Sequence, residues 1–409
     1  MTAAAAPRSS SPFGALQSSN FRLFLGGQLV SLIGTWLQSV AHGWLVLQLS
    51  NSPLTVGLVS MLGSLPILLF TLYGGVIADR VDKRRVVYWL QAAMLVEALL
   101  LAVLTSVGLV TVAWVMALAL LMGLLTAFEV PMRQALFVDL VERKDLTSAI
   151  ALNSAVYNLA RVLGPAVAGV LIGGLGLAAC FYVNAVSYVA VLWSLRRLRL
   201  PAAVPKPPPA DVLQSFREGL RFIWRATWPR TLMLLTMTLT IFGYCFLTML
   251  PVFARDALQL GAGGFGVITA AVGLGAALAA LGIAAAGNRL RHGRLAAWSA
   301  TGFGAAVLAT SVAPSVWVAA PLLLLTGALI ATTGVATNTF LQQQVPDALR
   351  GRIMGFYSFV VLGMVPFGSL QTGIVAEHFG VRSAFALNGV ASLAAGLAVV
   401  WRRRGREGW

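Results

Sequence analysis

Residues 74–85 read GGVIADRVDKRR, placing charges of both signs directly behind an apolar run that begins at Leu54. Charged side chains cost about 2.5–3.5 kcal/mol each at the centre of a membrane helix, so such a cluster marks a turn at a membrane surface. Working outward, Leu54–Ala78 before it and Val86–Val107 after it each supply the roughly 20 apolar residues that a spanning helix needs. The fold is therefore read as a chain of helical hairpins in a bilayer.

Composition agrees. The 409 residues are 58% hydrophobic and only 10% charged, with a mean hydropathy of +0.85, which excludes an ordinary soluble domain. Ten further spans follow the same pattern: Phe21–Leu49, Val110–Val130, Ser148–Leu175, Leu177–Leu195, Thr231–Phe253, Phe265–Ala286, Leu295–Val312, Val316–Thr337, Ile353–Ala376 and Val381–Trp401. The expected fold is an all-α membrane protein with twelve transmembrane helices. Residues 1–20 are small and polar and read as a disordered tail with no signal-peptide core.

Charge placement sets the orientation. With the N-terminus inside, Arg255 and Arg382 are the basic residues of the outer loops and Arg161 sits in a span; the rest fall in the tails and inner loops, counting Arg22 at the inner edge of the first span with the tail. Positive loops stay cytoplasmic, so both termini are expected inside, in the cytoplasmic (inner) membrane. The net charge of +16 is thus an orientation signal with some attraction to anionic lipids, and nucleic acid is not an expected partner.

Residues 201–230 interrupt the pattern with PKPPP and then a basic amphipathic stretch, Val212–Trp224, suited to lie on the inner leaflet. They divide the chain into bundles at 21–200 and 231–402, followed by a basic tail at 403–409. The bundles repeat. Asp79-Arg80 answers to Asn288-Arg289 at an offset of 209, and Val141 in LVERKDLTSA to Val345 in QVPDALRGRI at 204. Parallel six-helix repeats with a site between them are a transporter architecture.

At this level the chain from Asn20 to Trp401 resembles the Major Facilitator Superfamily, nearest its branch of drug and macrolide effluxers and enterobactin exporters. Gly75, Ala78, Asp79, Arg80, Arg84 and Arg85 resemble the signature GxLADRxGRR between helices 2 and 3, with Asp82 replacing the second glycine. The resemblance implies a cytoplasmic latch built on Gly75, Asp79, Arg80, Arg84 and Arg85. In span five, ARVLGPAVAGVL resembles the antiporter motif GxxxGPxxGG through Gly164, Pro165 and Gly169, with Ala160 and Ala168 where glycines are usual. That motif implies an exporter whose domain interface is sealed there. The mid-span arginine that many proton-coupled relatives carry in helix 4 is absent from WVMALALLMGLLTAF.

Gln28, Ser31, Thr35, Gln38 and His42 recur at steps of 3 and 4, which sets them on one helical face. A polar stripe inside lipid must face protein or water. With Tyr244, Thr248, Thr333 and Thr337 from spans seven and ten, these residues are the expected cavity wall, beside aromatic groups suited to a large amphiphile. Glu97 and Glu129 are the acidic residues within spans. With Arg161 and His42 they are the candidates for proton or cation coupling. Glu97 is either packed and structural or functional; Glu129 is either a cavity carboxylate or a latch member; Arg161 meets either Glu129 or an anionic substrate.

The leading function is a proton-coupled secondary exporter of amphiphilic small molecules, by alternating access and as a monomer. Export of an endogenous siderophore, or lipid transport by the same fold, is the alternative. No nucleotide-binding loop, metal-ligand cluster or catalytic constellation is present in the sequence, so neither an enzyme nor a cofactor is expected.

Overall fold

The computed structural model describes residues 14–78, 81–198, 212–225, 227–286 and 290–403, and all its regular elements there are helices. The first half comprises α1 (Ser19–Ser50), α2 (Pro53–Ala78), α3 (Lys83–Ser106), α4 (Val112–Val138), α5 (Leu146–Leu175) and α6 (Leu177–Arg197). An amphipathic α7 (Val212–Arg225) follows. The second half holds α8 (Thr227–Thr238), a short α9 (Leu250–Val252), α10 (Ala262–Ala286), α11 (His292–Ser311), α12 (Val316–Gln344), α13 (Asp347–Gly363), α14 (Val365–Phe379) and α15 (Val381–Arg403).

Among the described residues, eleven helical stretches are long and apolar enough to cross a membrane. The expected span Leu295–Val312 is not among them; α11, HGRLAAWSATGFGAAVLATS, takes its length from alanine, glycine, serine and threonine. The outward faces carry Val170, Val186, Leu281 and Trp317, all strongly exposed. A surface of that kind belongs in hydrocarbon.

Helix ends follow local chemistry. The Ser18 hydroxyl accepts the Phe21 N–H at 3.2 Å to start α1, and Thr111 does the same for Trp114 in α4. Asp82 caps α3, its carboxylate accepting the Arg85 N–H at 3.1 Å. The acid that departs from the signature glycine is thus a helix cap. Backbone punctuation repeats between the halves: left-handed Asn51 and Gln259 lie 208 apart, and Gly176 and Gly380, with φ of 82° and 83°, lie 204 apart. Glycine tolerates that conformation without cost. Extended N-caps Thr111 and Ser315 are also 204 apart. Packing repeats too: α3 against α4 and α6 is mirrored by α11 against α12 and α15.

Three expectations change. Residues 14–20 are not a disordered tail: Gly14–Gln17 form a 3-10 turn, tied down where the Ala15 N–H donates to Ser148 at 3.3 Å and the Ser18 hydroxyl to the Leu140 carbonyl at 3.0 Å. Span seven is not one regular helix, since α8 passes into a π turn at Leu239–Gly243, a 3-10 turn at Tyr244–Leu247 and, beyond Pro251, a second π turn at Phe253–Ala257. Span eleven is split between Gly363 and Val365, just before Pro366, because proline lacks the N–H that would continue the ladder.

The halves meet along two seams, α2 against α14 and α5 against α10. Both are backbone-to-backbone. A β-carbon on Gly57 would lie 2.7 Å from the Ser369 carbonyl oxygen, and one on Gly266 would lie 2.7 Å from Gly169 Cα and 2.9 Å from the Pro165 oxygen. Only glycine permits that approach.

Candidate functional site

A cavity of about 440 Å³ opens inside the first half, lined from α1 by Gln28, Ser31, Thr35, Gln38 and His42 and from α3, α4 and α6 by Gln91, Glu97, Glu129, Arg133 and Asn184. The polar face read from the spacing in α1 is therefore its wall. Ser39, His42, Val59 and Ser60 also line a second cavity of about 250 Å³, shared with Leu247, Thr248, Pro251 and Phe265 of the other half. Together they run from the interior of the first bundle to the junction between bundles. There Ser60 from α2 meets Ser369 from α14 at 3.1 Å and Thr248 at 3.4 Å.

Two carboxyls face this space in different company. Glu97, 3% exposed, ends a directed series: the Ser187 hydroxyl donates to Asn184, Asn184 Nδ2 to Gln38 Oε1 at 2.6 Å, and Gln38 Nε2 to Glu97 Oε2 at 3.2 Å. Among the described residues no cation pairs with it. Glu129, 4% exposed, accepts from Arg133 Nε and Gln91 Nε2, both at 2.8 Å. Its charge is balanced one helical turn away. Gln28 Nε2 and Gln91 Oε1 are buried without a hydrogen-bond partner among the described residues, leaving one donor and one acceptor for a guest or water.

Other expected residues fall elsewhere. Arg161 does not meet Glu129; its guanidinium lies over the Trp36 ring, 5.7 Å from the centroid, and its carbonyl packs against Gly273 in the α5–α10 seam. Thr333 is spent inside the second half, where its hydroxyl meets Ser299 at 2.8 Å, and buried Thr337 lies one turn further along α12. Neither lines the two cavities. Tyr244 sits where the π turn hands over to the 3-10 turn, its hydroxyl beside Gly334. Of the span-five motif, Gly164 packs on Trp36 and Ile33 of α1, while Pro165 and Gly169 face Gly263 and Gly266 of α10.

The signature between α2 and α3 is partly visible. Gly75 lies in α2, and Asp79 and Arg80 lie outside the described residues. Arg84 donates to the Leu195 and Arg196 carbonyls at 2.7 and 2.9 Å, closing the C-terminus of α6. Lys83 pairs with Asp139 at the end of α4, and Arg85 is exposed. Lys83 and Arg84 thus bind within their own half. Among the described residues no group of three or more His, Cys, Asp or Glu could hold a metal.

Residues 10–407 match the transmembrane secretion effector family. The chain belongs to that family, within the Major Facilitator Superfamily. The transporter is 26% identical to the staphyloferrin A transporter of Staphylococcus aureus, over 92% of each chain. It is 28% identical to the multidrug efflux pump Tap of Mycolicibacterium fortuitum, over 94% of its own length and 96% of Tap. Its fold superposes on a bacterial homologue of the human lysosomal transporter Spinster with a TM-score of 0.74 at 14% identity, covering 97% and 98% of the two chains. It is a multi-pass membrane transporter and not an enzyme.

Gln91, Arg133, Asn184 and Ser60 were not anticipated in the site. A polar side chain within an apolar span is the signal that marks Gln91 and Asn184. Arg133 carries a testable consequence for the transporter. Arg133→Met strands the buried Glu129 charge and should cost about 3–5 kcal/mol of stability. Adding Glu129→Gln should restore most of it, measured as thermal unfolding in detergent. A single variant that melts with the parent would show that the pair contributes nothing.

Proposed function

We propose that this protein is a secondary active exporter of amphiphilic small molecules, driven by proton antiport through alternating access. The observation that carries the reading is the pair of adjoining cavities, whose walls mix amides, hydroxyls and two carboxyls with Trp36, Phe265 and aliphatic side chains. Such a lining suits a guest that carries both polar and apolar groups. Similarity to a multidrug efflux pump points the same way.

In this reading α11 is the twelfth span. It ends at Ser311, 205 residues after α3 ends at Ser106, and it packs as α3 does. Both termini lie in the cytoplasm, α7 rests on the inner leaflet, and the end holding the α1–α2 connection faces outward. The inner latch rests on Gly75, Asp79, Arg80, Arg84 and Arg85, and the protein works as a monomer among membrane lipids. Glu97 carries the exchanged proton, since it gives one up without breaking an ion pair, while Glu129 with Arg133 positions the substrate.

A siderophore is the second reading, favoured by Arg133 in the cavity and by similarity to a siderophore transporter. The deciding experiment is uptake of a lipophilic cationic dye into proteoliposomes with and without an imposed pH gradient. Gradient-dependent accumulation above empty liposomes supports multidrug antiport. No accumulation removes it and moves the assay to siderophore.

A further inference from the structure

The two ends of the α1–α2 connection are each capped from the other half of the molecule. Helix α1 closes on left-handed Asn51, whose N–H returns to the Leu47 carbonyl. Arg255, beyond α9 in the second half, donates from Nη1 to Asn51 Oδ1 at 2.6 Å and to the Leu47 carbonyl at 3.5 Å. Its other face is held by Asp256 through Nε and Nη2. A cation is thereby fixed at the negative end of α1. At the start of α2 the relation reverses. Glu377, from the last turn of α14, accepts the Leu54 N–H at 3.0 Å and the Ser52 hydroxyl at 2.8 Å, while Ser52 accepts the Thr55 N–H at 3.2 Å.

A capping box normally takes its acid from the third residue of its own helix. Here that residue is Thr55, and the carboxylate arrives from 323 positions away. Arg382, the other basic residue at this end, stays within its half, donating to the Ser311 and Ala257 carbonyls at 2.8 and 3.0 Å. Among the described residues the ionisable groups near the connection are thus Arg255, Asp256, Glu377 and His378, and His378 is turned back onto the Ile374 carbonyl. Just beneath lie the Gly57–Gly373 contact and the Ser60–Thr248–Ser369 cluster.

We propose that Arg255 and Glu377 are the outer gate of the transport cycle, two helix caps supplied in trans that must both be surrendered before the outer end opens. The assignment of this end as outer rests on the orientation given above. Separation of the halves strips both helix termini of charged partners at once and leaves water to replace them. The two caps therefore hold the outer end shut together.

The test uses the full chain in membrane vesicles, with Ser39→Cys as reporter. Ser39 lines both cavities, and native Cys180 and Cys245 are buried. A membrane-impermeant maleimide is applied from the outer side. Glu377→Gln and Arg255→Gln should each raise the labelling rate about 10-fold, the effect of losing roughly 1.4 kcal/mol of charge-assisted hydrogen bonding. Labelling unchanged in both variants overturns the gate. Asn51→Cys, labelled in the same vesicles, reports which way this end faces, so an inverted orientation is distinguished from a failed gate. A variant that folds poorly does not obstruct the test, because an Asn51→Cys/Arg255→Cys pair can be joined by a bifunctional thiol reagent with a disulfide in its spacer, long enough to replace the arginine side chain. Crosslinking should stop transport and a reductant should restore it. Transport that continues in the crosslinked protein overturns the proposal.

Discussion

Replacing Gly266 by valine should leave the transporter folded and slow its turnover. The residue touches the opposite half: a β-carbon there falls 2.7 Å from Gly169 Cα and 2.9 Å from the Pro165 oxygen. Both partners are backbone on a continuous helix, so neither can swing aside, and the halves must part. Overpacking of this kind costs about 1–3 kcal/mol. Charged to one state of a two-state cycle, that shifts the balance between states by roughly 5- to 150-fold. Gly275 is the internal comparison, because its added β-carbon would collide with the Leu324 carbonyl of α12 within the same half. Gly275→Val should therefore lower the melting temperature, whereas Gly266→Val should lower transport with little change in melting. Parental transport in Gly266→Val would remove the seam from the mechanism.

The second large effect is expected at Glu97. Glutamine keeps an oxygen to accept the Gln38 N–H, so the series from Ser187 through Asn184 stays intact. What it loses is an exchangeable proton. Gradient-driven dye accumulation should fall to the level of empty liposomes, while dye-for-dye exchange, which needs no net proton movement, should continue. Glu129→Gln should instead weaken dye binding and leave coupling in place, since that carboxylate is already balanced by Arg133. If Glu97→Gln still accumulates dye against its gradient, coupling resides elsewhere, with His42 the next residue to replace. His42 lines both cavities.

The helical hairpins and the polar face of α1 were legible in the sequence because each depends on one local period. Gln28 to His42 needed only the 3.6-residue turn. What pairs with that face was not legible. Gln38 meets Glu97 only because α1 and α3 both pack on α6, a relation between separate segments that no local pattern encodes. The same limit separated Thr248, which reaches the junction, from Thr333, which bonds to Ser299 instead. Asp82 was noticed as a departure from a signature, yet its work as the cap of α3 is visible only in the backbone. The irregular course of span seven, with Gly243 ending the first π turn and Pro251 preceding the second, was not legible either, because neither residue alone ends a membrane helix. Arg255 and Arg382 stood out in the charge pattern as the basic residues of the expected outer loops; that Arg255 reaches Asn51 and the Leu47 carbonyl, and Arg382 the Ser311 and Ala257 carbonyls, was not legible.

The glycine seams bear on speed as well as on closure. Interdigitated side chains must lift out of their sockets before two surfaces can shift, and that unpacking raises an activation barrier. Where Gly57 faces Gly373 and Gly169 faces Gly266, there are no sockets. Along the glycine seams the halves have few side chains to unlock, and Trp44 of α1, stacked on Phe265 of α10 at 5.7 Å, is an apolar contact that crosses between them. The temperature dependence of turnover should then report the rupture of polar contacts at the ends of the molecule, and small apolar enlargements along the seam should act as grit.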